Sequence, residues 1–272
     1  MTSFTATTLN IDGYETTTYE GGLNMGAAGP TLLFLHGAGG ADDMFEGSNP
    51  PAFLAELAKS FRVLVPEHPG YGARARPEFV DNIHDLAYFY LDYLKARGLT
   101  GVHLVGQSLG GWVALEIAVR NTARLASLTV AGAAGIHVKG VKKGDIFMWT
   151  REQFAQNMFR NPDARAAFMA REMTPAQQTA FLRNRETTAL LAWEPRLYDP
   201  NLEKWLHRID VPTHVIWAAD DQVLPAEYGQ TIAGLIGGAR LSVIPDSGHL
   251  LHLDRPAAFS AAVANFIREE AA

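Results

Sequence analysis

The stretch VHLVGQSLGGWVALEIA, from Val102 to Ala118, joins an apolar run typical of a β-strand to an amphipathic helix through the turn Gly106–Gly110. In a nucleophile elbow, a serine occupies such a strained turn, and glycines two positions before and after it prevent collisions with the neighbouring strand and helix. The backbone N–H of Leu109 lies in the first turn of the helix, where it has no intrahelical partner and can face an oxyanion. The pattern predicts that Ser108 is a nucleophile, and the alternative is a serine that only caps the helix.

The composition is that of an ordinary globular protein, with 272 residues, 47% hydrophobic residues and a formal net charge of −6. The length allows one α/β domain with an insertion or two small domains. The sequence has no cluster of basic residues, which argues against a nucleic-acid partner. It also has no cysteine, which excludes disulfides and thiolate chemistry. The polar start and the lack of a long apolar run predict a cytoplasmic enzyme without a membrane partner. The sequence leaves open whether the protein is a monomer or a homodimer.

The order of the elements predicts an α/β fold with a mostly parallel, doubly wound sheet. Two alternating runs, Phe4–Ile11 and Tyr14–Glu20, flank Asp12-Gly13 and predict an N-terminal antiparallel hairpin. Short apolar runs typical of buried parallel strands follow, separated by helical patterns at Pro51–Lys59 and Asp81–Arg97. These strands are predicted at Thr31–Leu35, Arg62–Pro66, Val102–Val105, Leu125–Ala131, Thr213–Ala219 and Arg240–Pro245. A last helix is predicted from Pro256 to Ile267.

Between Gly135 and His207 the strand-like runs disappear and helix starts follow one another closely. Thr150 and Thr174 each begin a capping box, and Asn161 precedes a proline at a first helical position. We therefore predict a helical cap, or lid, at residues 136–207, inserted into a core domain made of residues 1–135 and 208–272. The apolar residues of this insertion could simply pack against the core. If the insertion is a lid, some of them, with Trp149 as the candidate, are expected to roof an acyl pocket.

Two loops follow early strands at the edge of the sheet where Ser108 is expected. The first, His36–Gly40, is rich in glycine, and the backbone amide of Ala38, or failing it that of Gly39, is a candidate oxyanion donor. His36 itself is expected to be a packed histidine that orients the turn. The second loop, His68–Gly72, is predicted to shape the pocket floor without substrate contact by His68.

The segments HGAGG, HPGYG, GQSLGG, DDQVLP and SGH occur in the order of the loops of serine-type α/β-hydrolases, which this sequence resembles over nearly its whole length. The resemblance implies a triad of Ser108, Asp221 and His249. Asp221 is preferred to Asp220 and Asp246, because it precedes a short apolar stretch and a proline. His252 is expected to be a surface or packing histidine. Ala218 and Ala73-Arg74 depart from the family pattern, which obscures the subfamily but not the triad.

The expected function is hydrolysis of carboxylic esters with small to medium apolar acyl groups. Ser108 would attack, His249 would transfer the proton, Asp221 would orient the histidine, and the amides of Ala38 and Leu109 would bind the oxyanion. Substrate contacts are expected at Gly39, Gln107 and Trp149. Neither a cofactor nor a metal is expected, since no histidine and carboxylate grouping has ligand spacing in the sequence. The alternatives are a carbon–carbon bond hydrolase of dioxo acids, a lactonase, and a non-catalytic ligand receptor on the same scaffold.

Overall fold

A computed structural model describes residues 3–23, 29–41, 44–45 and 47–270. In this part of the chain eight strands form one sheet in the order β1-β2-β4-β3-β5-β6-β7-β8. The first strand pairs antiparallel with the second, the second pairs antiparallel with the fourth, and all other pairs are parallel. The strands are β1 (Thr5–Ile11), β2 (Tyr14–Gly22), β3 (Thr31–Leu35), β4 (Arg62–Pro66), β5 (Val102–Gln107), β6 (Leu125–Ala131), β7 (Thr213–Ala218) and β8 (Arg240–Ile244). The predicted fold class and N-terminal hairpin are confirmed.

Helices cover both faces of the sheet. They are α1 (Ala52–Leu57), α2 (Ile83–Ala96), α3 (Leu109–Arg120), α4 (Arg151–Met158), α5 (Pro162–Ala170), α6 (Pro175–Ala192), α7 (Ala226–Leu235), α8 (Leu251–Asp254) and α9 (Pro256–Glu270), with a 3₁₀ helix at Leu202–Arg208. The predicted capping boxes are present at Thr150 and Thr174, and the side chain of Asn161 caps α5. Within the described residues, every helix is too short or too polar to cross a bilayer.

The alternation of side chains along β3 explains why the sheet is buried on both faces. Leu33 and Leu35 pack into a cluster with residues of α2, α3 and α7, whereas Leu32 and Phe34 pack into a second cluster with residues of α1 and α9. Successive side chains of a strand point to opposite faces, so an uninterrupted apolar strand supplies two separate cores. The loops at the carboxyl ends of the parallel strands are thereby fixed along one edge of the sheet.

The chain between β6 and β7 contains α4, α5, α6 and the 3₁₀ helix, as the helix-start signals predict. We name residues 136–207 the inserted segment. An isolated bridge pairs Gly135, just before this stretch, with Tyr198 in its last third, a pairing that the sequence does not reveal, because neither residue lies in a strand-like run. The division into a core domain and a lid stays a prediction.

Candidate active site

Ser108 lies at the junction of β5 and α3 with backbone dihedrals of φ +54° and ψ −115°. A Cβ atom added to Gly106 would lie 2.3 Å from the carbonyl oxygen of Gly110, and one added to Gly110 would lie 2.2 Å from that of Leu35. Both positions therefore need glycine to let the strand, the turn and the helix approach each other. The Ser108 side chain makes no capping hydrogen bond to α3, so the alternative of a simple helix cap does not describe this turn.

The Ser108 hydroxyl is the first member of a continuous chain of hydrogen bonds. Its Oγ lies 2.9 Å from Nε2 of His249, and Nδ1 of His249 lies 2.8 Å from Oδ2 of Asp221. The other oxygen of Asp221 accepts the backbone N–H groups of Val223 and Leu224 at 2.9 and 2.8 Å. Ser108 is half-buried, whereas His249 and Asp221 are buried. The arrangement can move a proton from the serine hydroxyl onto an imidazole that a carboxylate orients.

The other candidate acids, Asp220 and Asp246, and the second histidine, His252, lie outside this chain of hydrogen bonds. Both ring nitrogens of His249 are occupied by Ser108 and Asp221, while the carboxylate of Asp220 is exposed beside Arg160 and that of Asp246 points into solvent. His252 is buried against aromatic rings, as a packing histidine would be, and burial followed by the nearby His249 lowers the pKa of His252 to about 3. Of the three candidate acids, Asp221 is the one that contacts His249, and its catalytic role stays a prediction.

The glycine-rich loop after β3 packs directly against the nucleophile. A Cβ atom added to Gly37 would lie 2.5 Å from Oε1 of Gln107 and 3.4 Å from Cβ of Ser108. Ala38 and Gly39 follow in the same loop, and Leu109 is the first residue of α3. The two candidate oxyanion donors thus belong to the two segments on either side of the serine. Their role in binding an oxyanion stays a prediction.

Two buried histidines and a glutamate support this loop. Nε2 of His36 accepts the backbone N–H of His68 at 3.0 Å, and His68 donates from Nε2 to the carbonyl oxygen of His36 at 2.8 Å. Burial, followed by the electrostatic interaction with the neighbouring His36, lowers the pKa of His68 well below its ordinary value. Both are packed residues, as expected. Glu67, which sequence reasoning missed, accepts the N–H of Ala41 at 2.8 Å and lies 3.0 Å from Nε2 of His36. The feature of the sequence that could have indicated this role is the position of Glu67 directly after β4.

Asp254 is a second buried carboxylate that sequence reasoning missed. One oxygen accepts the N–H of Gly248 and that of Arg160, both at 2.8 Å, and the other accepts the N–H of Asn161 at 2.7 Å. Asp254 therefore joins the loop that carries His249 to the turn between α4 and α5 in the inserted segment. The Asp-Arg-Pro sequence at this point indicates only a helix start.

Replacing Asp254 by alanine is expected to lower the free energy of unfolding by about 2 to 4 kcal/mol, because it leaves three backbone N–H groups without their acceptor in a buried site. Urea unfolding of both proteins followed by circular dichroism measures the difference. Asp220→Ala is the matched control, since that carboxylate is 53% exposed, and we expect a change of at most about 0.5 kcal/mol. Equal free energies of unfolding for the two variants would contradict the role of Asp254 as the buried acceptor of these three N–H groups.

The predicted substrate-contact residues lie in different surroundings. A side chain on Gly39 would meet open space, and buried Gln107 donates from Nε2 to the carbonyl oxygen of His249 at 3.3 Å. Trp149 is half-buried and lines a cavity of about 580 Å³ next to the Asp221 loop, together with Lys142, Asp220, Gln222 and Glu227. Ser108 does not line that cavity. Substrate binding by these three residues stays a prediction.

One histidine and carboxylate group comes together away from the triad. Side-chain ligand atoms of His84, Glu116 and Asp199 lie within 4.8 Å of one another, a grouping that the spacing of these residues in the sequence does not indicate. Sequence spacing could not reveal it, because the residues come from α2, α3 and the inserted segment. Glu116 is already paired with Arg120 and accepts the indole N–H of Trp112 at 3.1 Å. These contacts explain the group as a network of ion pairs and hydrogen bonds.

Comparisons with known proteins agree with this fold. A sequence model of the alpha/beta hydrolase family matches residues 32–262. The 2-hydroxy-6-oxo-6-(2'-aminophenyl)hexa-2,4-dienoic acid hydrolase of Metapseudomonas resinovorans is 28% identical over 97% of this chain and 91% of its own length. Lipase 1 of Psychrobacter immobilis is 23% identical over 84% of this chain and 73% of its own length. The crystal structure of a membrane phospholipase A, a bacterial virulence factor, has a TM-score of 0.80 at 21% identity, covering 98% of this chain and 87% of that one, a likeness of fold.

Proposed function

We propose that this chain, which belongs to the alpha/beta hydrolase family, is a serine hydrolase that cleaves carboxylic esters of small to medium, largely apolar acyl groups. The observation that carries the proposal is the continuous chain from Ser108 Oγ through His249 to Asp221, with contacts of 2.9 and 2.8 Å. A ligand receptor has no need of such a chain, which disfavours the non-catalytic alternative.

The proposed reaction begins when Ser108 Oγ attacks the ester carbonyl carbon and gives its proton to Nε2 of His249. Asp221 holds the opposite ring nitrogen and stabilises the imidazolium that forms. His249 then protonates the departing alcohol, which leaves an acyl group on Ser108. A water molecule gives a proton to His249 and attacks this acyl group. The bond between the acyl carbon and Ser108 Oγ then breaks, His249 returns the proton to Oγ, and the acid is released. No step requires a cofactor.

The oxyanion formed in both steps is proposed to accept the backbone N–H groups of Ala38 and Leu109. Leu109 supports this role because it is the first residue of α3, where the helix dipole favours negative charge. Ala38 supports it because its loop packs against Cβ of Ser108 through Gly37. Such preorganised donors are typically worth a factor of about 10² to 10³ in rate each.

We propose further that the inserted segment acts as a lid over this site. Its carbonyl group at Met158 accepts the N–H of Leu250 at 3.2 Å and lies so close to Gly248 that a Cβ atom there would be 2.5 Å from the carbonyl oxygen. The turn after α4 therefore lies on the loop that carries His249. The proposed partner is a small-molecule acyl substrate, and cytoplasmic location and a monomeric or dimeric state stay predictions.

The charge of the side chains near the candidate site supports a neutral ester over a dioxo acid as the substrate. A substrate carboxylate next to the scissile bond needs a cation or several amide donors. Arg183 donates to the carbonyl oxygen of Gly72 at 2.6 Å and Arg185 to that of Phe147 at 3.1 Å. The polar side chain of α6 that contacts the loop beside Ser108 is instead the neutral amide of Asn184, which donates to Gly39. These contacts favour a neutral acyl group.

A carbon–carbon bond hydrolase of dioxo acids is the second candidate, because relatives such as the Metapseudomonas resinovorans enzyme carry such names. The same triad would serve that reaction. The relatives named as lipases support the ester proposal. The two candidates therefore differ in the acyl pocket and not in Ser108, Asp221 or His249.

Neutral p-nitrophenyl esters of varied acyl length are expected to show at least about a tenfold higher kcat/KM than a 2-hydroxy-6-oxo-dienoic acid. The reason is that a carboxylate placed in the site without a paired cation costs more than about 1.4 kcal/mol, which is a factor of ten. Both series are measured on one preparation, with Ser108→Ala as the control for non-enzymatic hydrolysis. A higher kcat/KM for the dioxo acid would overturn the ester proposal and leave the triad in place.

A further inference from the structure

Asn184, in the middle of α6, is only 3% exposed and lies between two loops of the core. Its Nδ2 donates to the carbonyl oxygen of Gly39 at 2.7 Å, and its Oδ1 accepts the N–H of Gly72 at 2.8 Å. A carbonyl oxygen only accepts and a backbone N–H only donates, so these partners fix the orientation of the side-chain amide. One buried side chain of the inserted segment therefore connects the candidate oxyanion loop to the turn after β4.

The loop that Asn184 contacts consists largely of glycine. Gly37, Gly39 and Gly40 leave its backbone unrestricted by side chains, and Gly40 has φ +89°. A Cβ atom on Gly40 would lie 2.5 Å from Nδ2 of Asn184, so the amide rests directly on this turn. Gly39, which Asn184 contacts, directly follows the proposed donor Ala38 in the chain. A shift of Gly39 would therefore move the Ala38 N–H away from the oxyanion.

Contacts other than those of Asn184 also attach α6 to the core. Thr187 donates from its hydroxyl to the carbonyl oxygen of Gly70 at 2.6 Å, the hydroxyl groups of Thr188 and Tyr71 lie 2.8 Å apart, and Arg183 donates to Gly72. These contacts all attach the helix to the turn after β4. The bond from Asn184 to Gly39 differs from them, because it reaches the oxyanion loop.

We propose that Asn184 is a positioning residue that holds the oxyanion loop in its donor geometry, an inference that rests on the proposed serine hydrolase function. It acts through Gly39 and not through contact with the substrate. Helix α6 of the inserted segment thereby fixes the position of the loop whose backbone N–H stabilises the transition state. Losing the bond to Gly39 misplaces the donor without removing it, so its effect should be smaller than deletion of an oxyanion donor.

The test compares Asn184→Asp and Asn184→Leu with Thr187→Val. Asn184→Asp keeps an acceptor for Gly72 and places a carboxylate oxygen against the carbonyl of Gly39, while Asn184→Leu removes both bonds. Thr187→Val is the matched control, because it lies one turn along the same helix, is equally buried and contacts Gly70 instead. Two rates are measured for each protein: ester turnover, and the second-order rate of Ser108 phosphonylation by a fluorophosphonate, whose P=O oxygen occupies the oxyanion site.

Both Asn184 variants are expected to lose about 10- to 100-fold in kcat and in phosphonylation rate, with KM within about threefold, and Thr187→Val to keep both rates within about threefold. Rates in Asn184→Asp equal to those in Thr187→Val would overturn the proposal. So would a rise in KM at unchanged kcat, which would place Asn184 in substrate binding. If the wild type turned over no ester, the ester proposal would fail, and the phosphonylation rates would still decide the role of Asn184.

Discussion

Replacing Ser108 by alanine is expected to lower kcat for ester hydrolysis by about 10⁵- to 10⁶-fold, the loss seen when a triad nucleophile is removed. The reason is that no acyl-enzyme can form, so only binding and the oxyanion donors remain. Initial rates with a chromogenic ester measure the loss, and Ser260→Ala is the control. Ser260 is also buried, but its hydroxyl donates to the carbonyl oxygen of Pro256, far along the chain from the elbow. Retention of more than about one per cent of the activity would contradict the assignment.

Asp221→Asn is expected to lower kcat by about 10⁴-fold, because the charge that stabilises the imidazolium is lost and the histidine tautomer is wrong. The backbone N–H groups of Val223 and Leu224 still find an acceptor in the asparagine oxygen, so the variant should fold. Steady-state kinetics and a thermal melt of the same sample separate lost activity from lost structure.

Asp220→Asn is the neighbouring control, with an expected change in kcat of less than about twofold, because its carboxylate faces solvent and Arg160. Asp246→Asn should behave in the same way, since that side chain is 84% exposed. A costlier loss at either position, in a correctly folded protein, would show that the acid has been assigned to the wrong residue.

The fold was accessible from the sequence because its signals are local. The apolar residues of β3 must alternate between two clusters, and an uninterrupted apolar run of this kind allows little else than a strand covered on both faces. The starts of α4, α5 and α6 were equally legible, because each cap bonds to residues two or three positions away. Such short-range contacts are written directly in the spacing of the residues.

The structure gives a local reason for the residues that the sequence proposed as a triad. Asp221 precedes Val223 and Leu224, and the structure shows that the N–H groups of these two residues bind the Asp221 carboxylate. The spacing that singled out Asp221 is therefore the spacing of a turn that fixes its side chain. Ser108 is identified by the glycines that its strained turn requires.

The supporting residues could not be predicted, because their partners are distant in the chain. Asn184 bonds to Gly39 across 145 residues, and Asp254 bonds to Asn161 across 93. The buried face of α6 also carries Asn184, Thr187 and Thr188, so no apolar period shows which face of this helix meets the core. The group of His84, Glu116 and Asp199 could not be predicted either, because its members are distant in the chain.

Active-site phosphonylation followed by peptide mass spectrometry tests whether Ser108 is the nucleophile of this site. We expect one phosphonyl group per chain, located on Ser108, with labelling slowed by an added ester substrate and absent from Ser108→Ala. Asp221→Asn should be labelled far more slowly than the wild type, because its histidine no longer accepts the serine proton efficiently. An adduct on another residue, or equal labelling of Ser108→Ala and the wild type, would show that Ser108 is not the nucleophile.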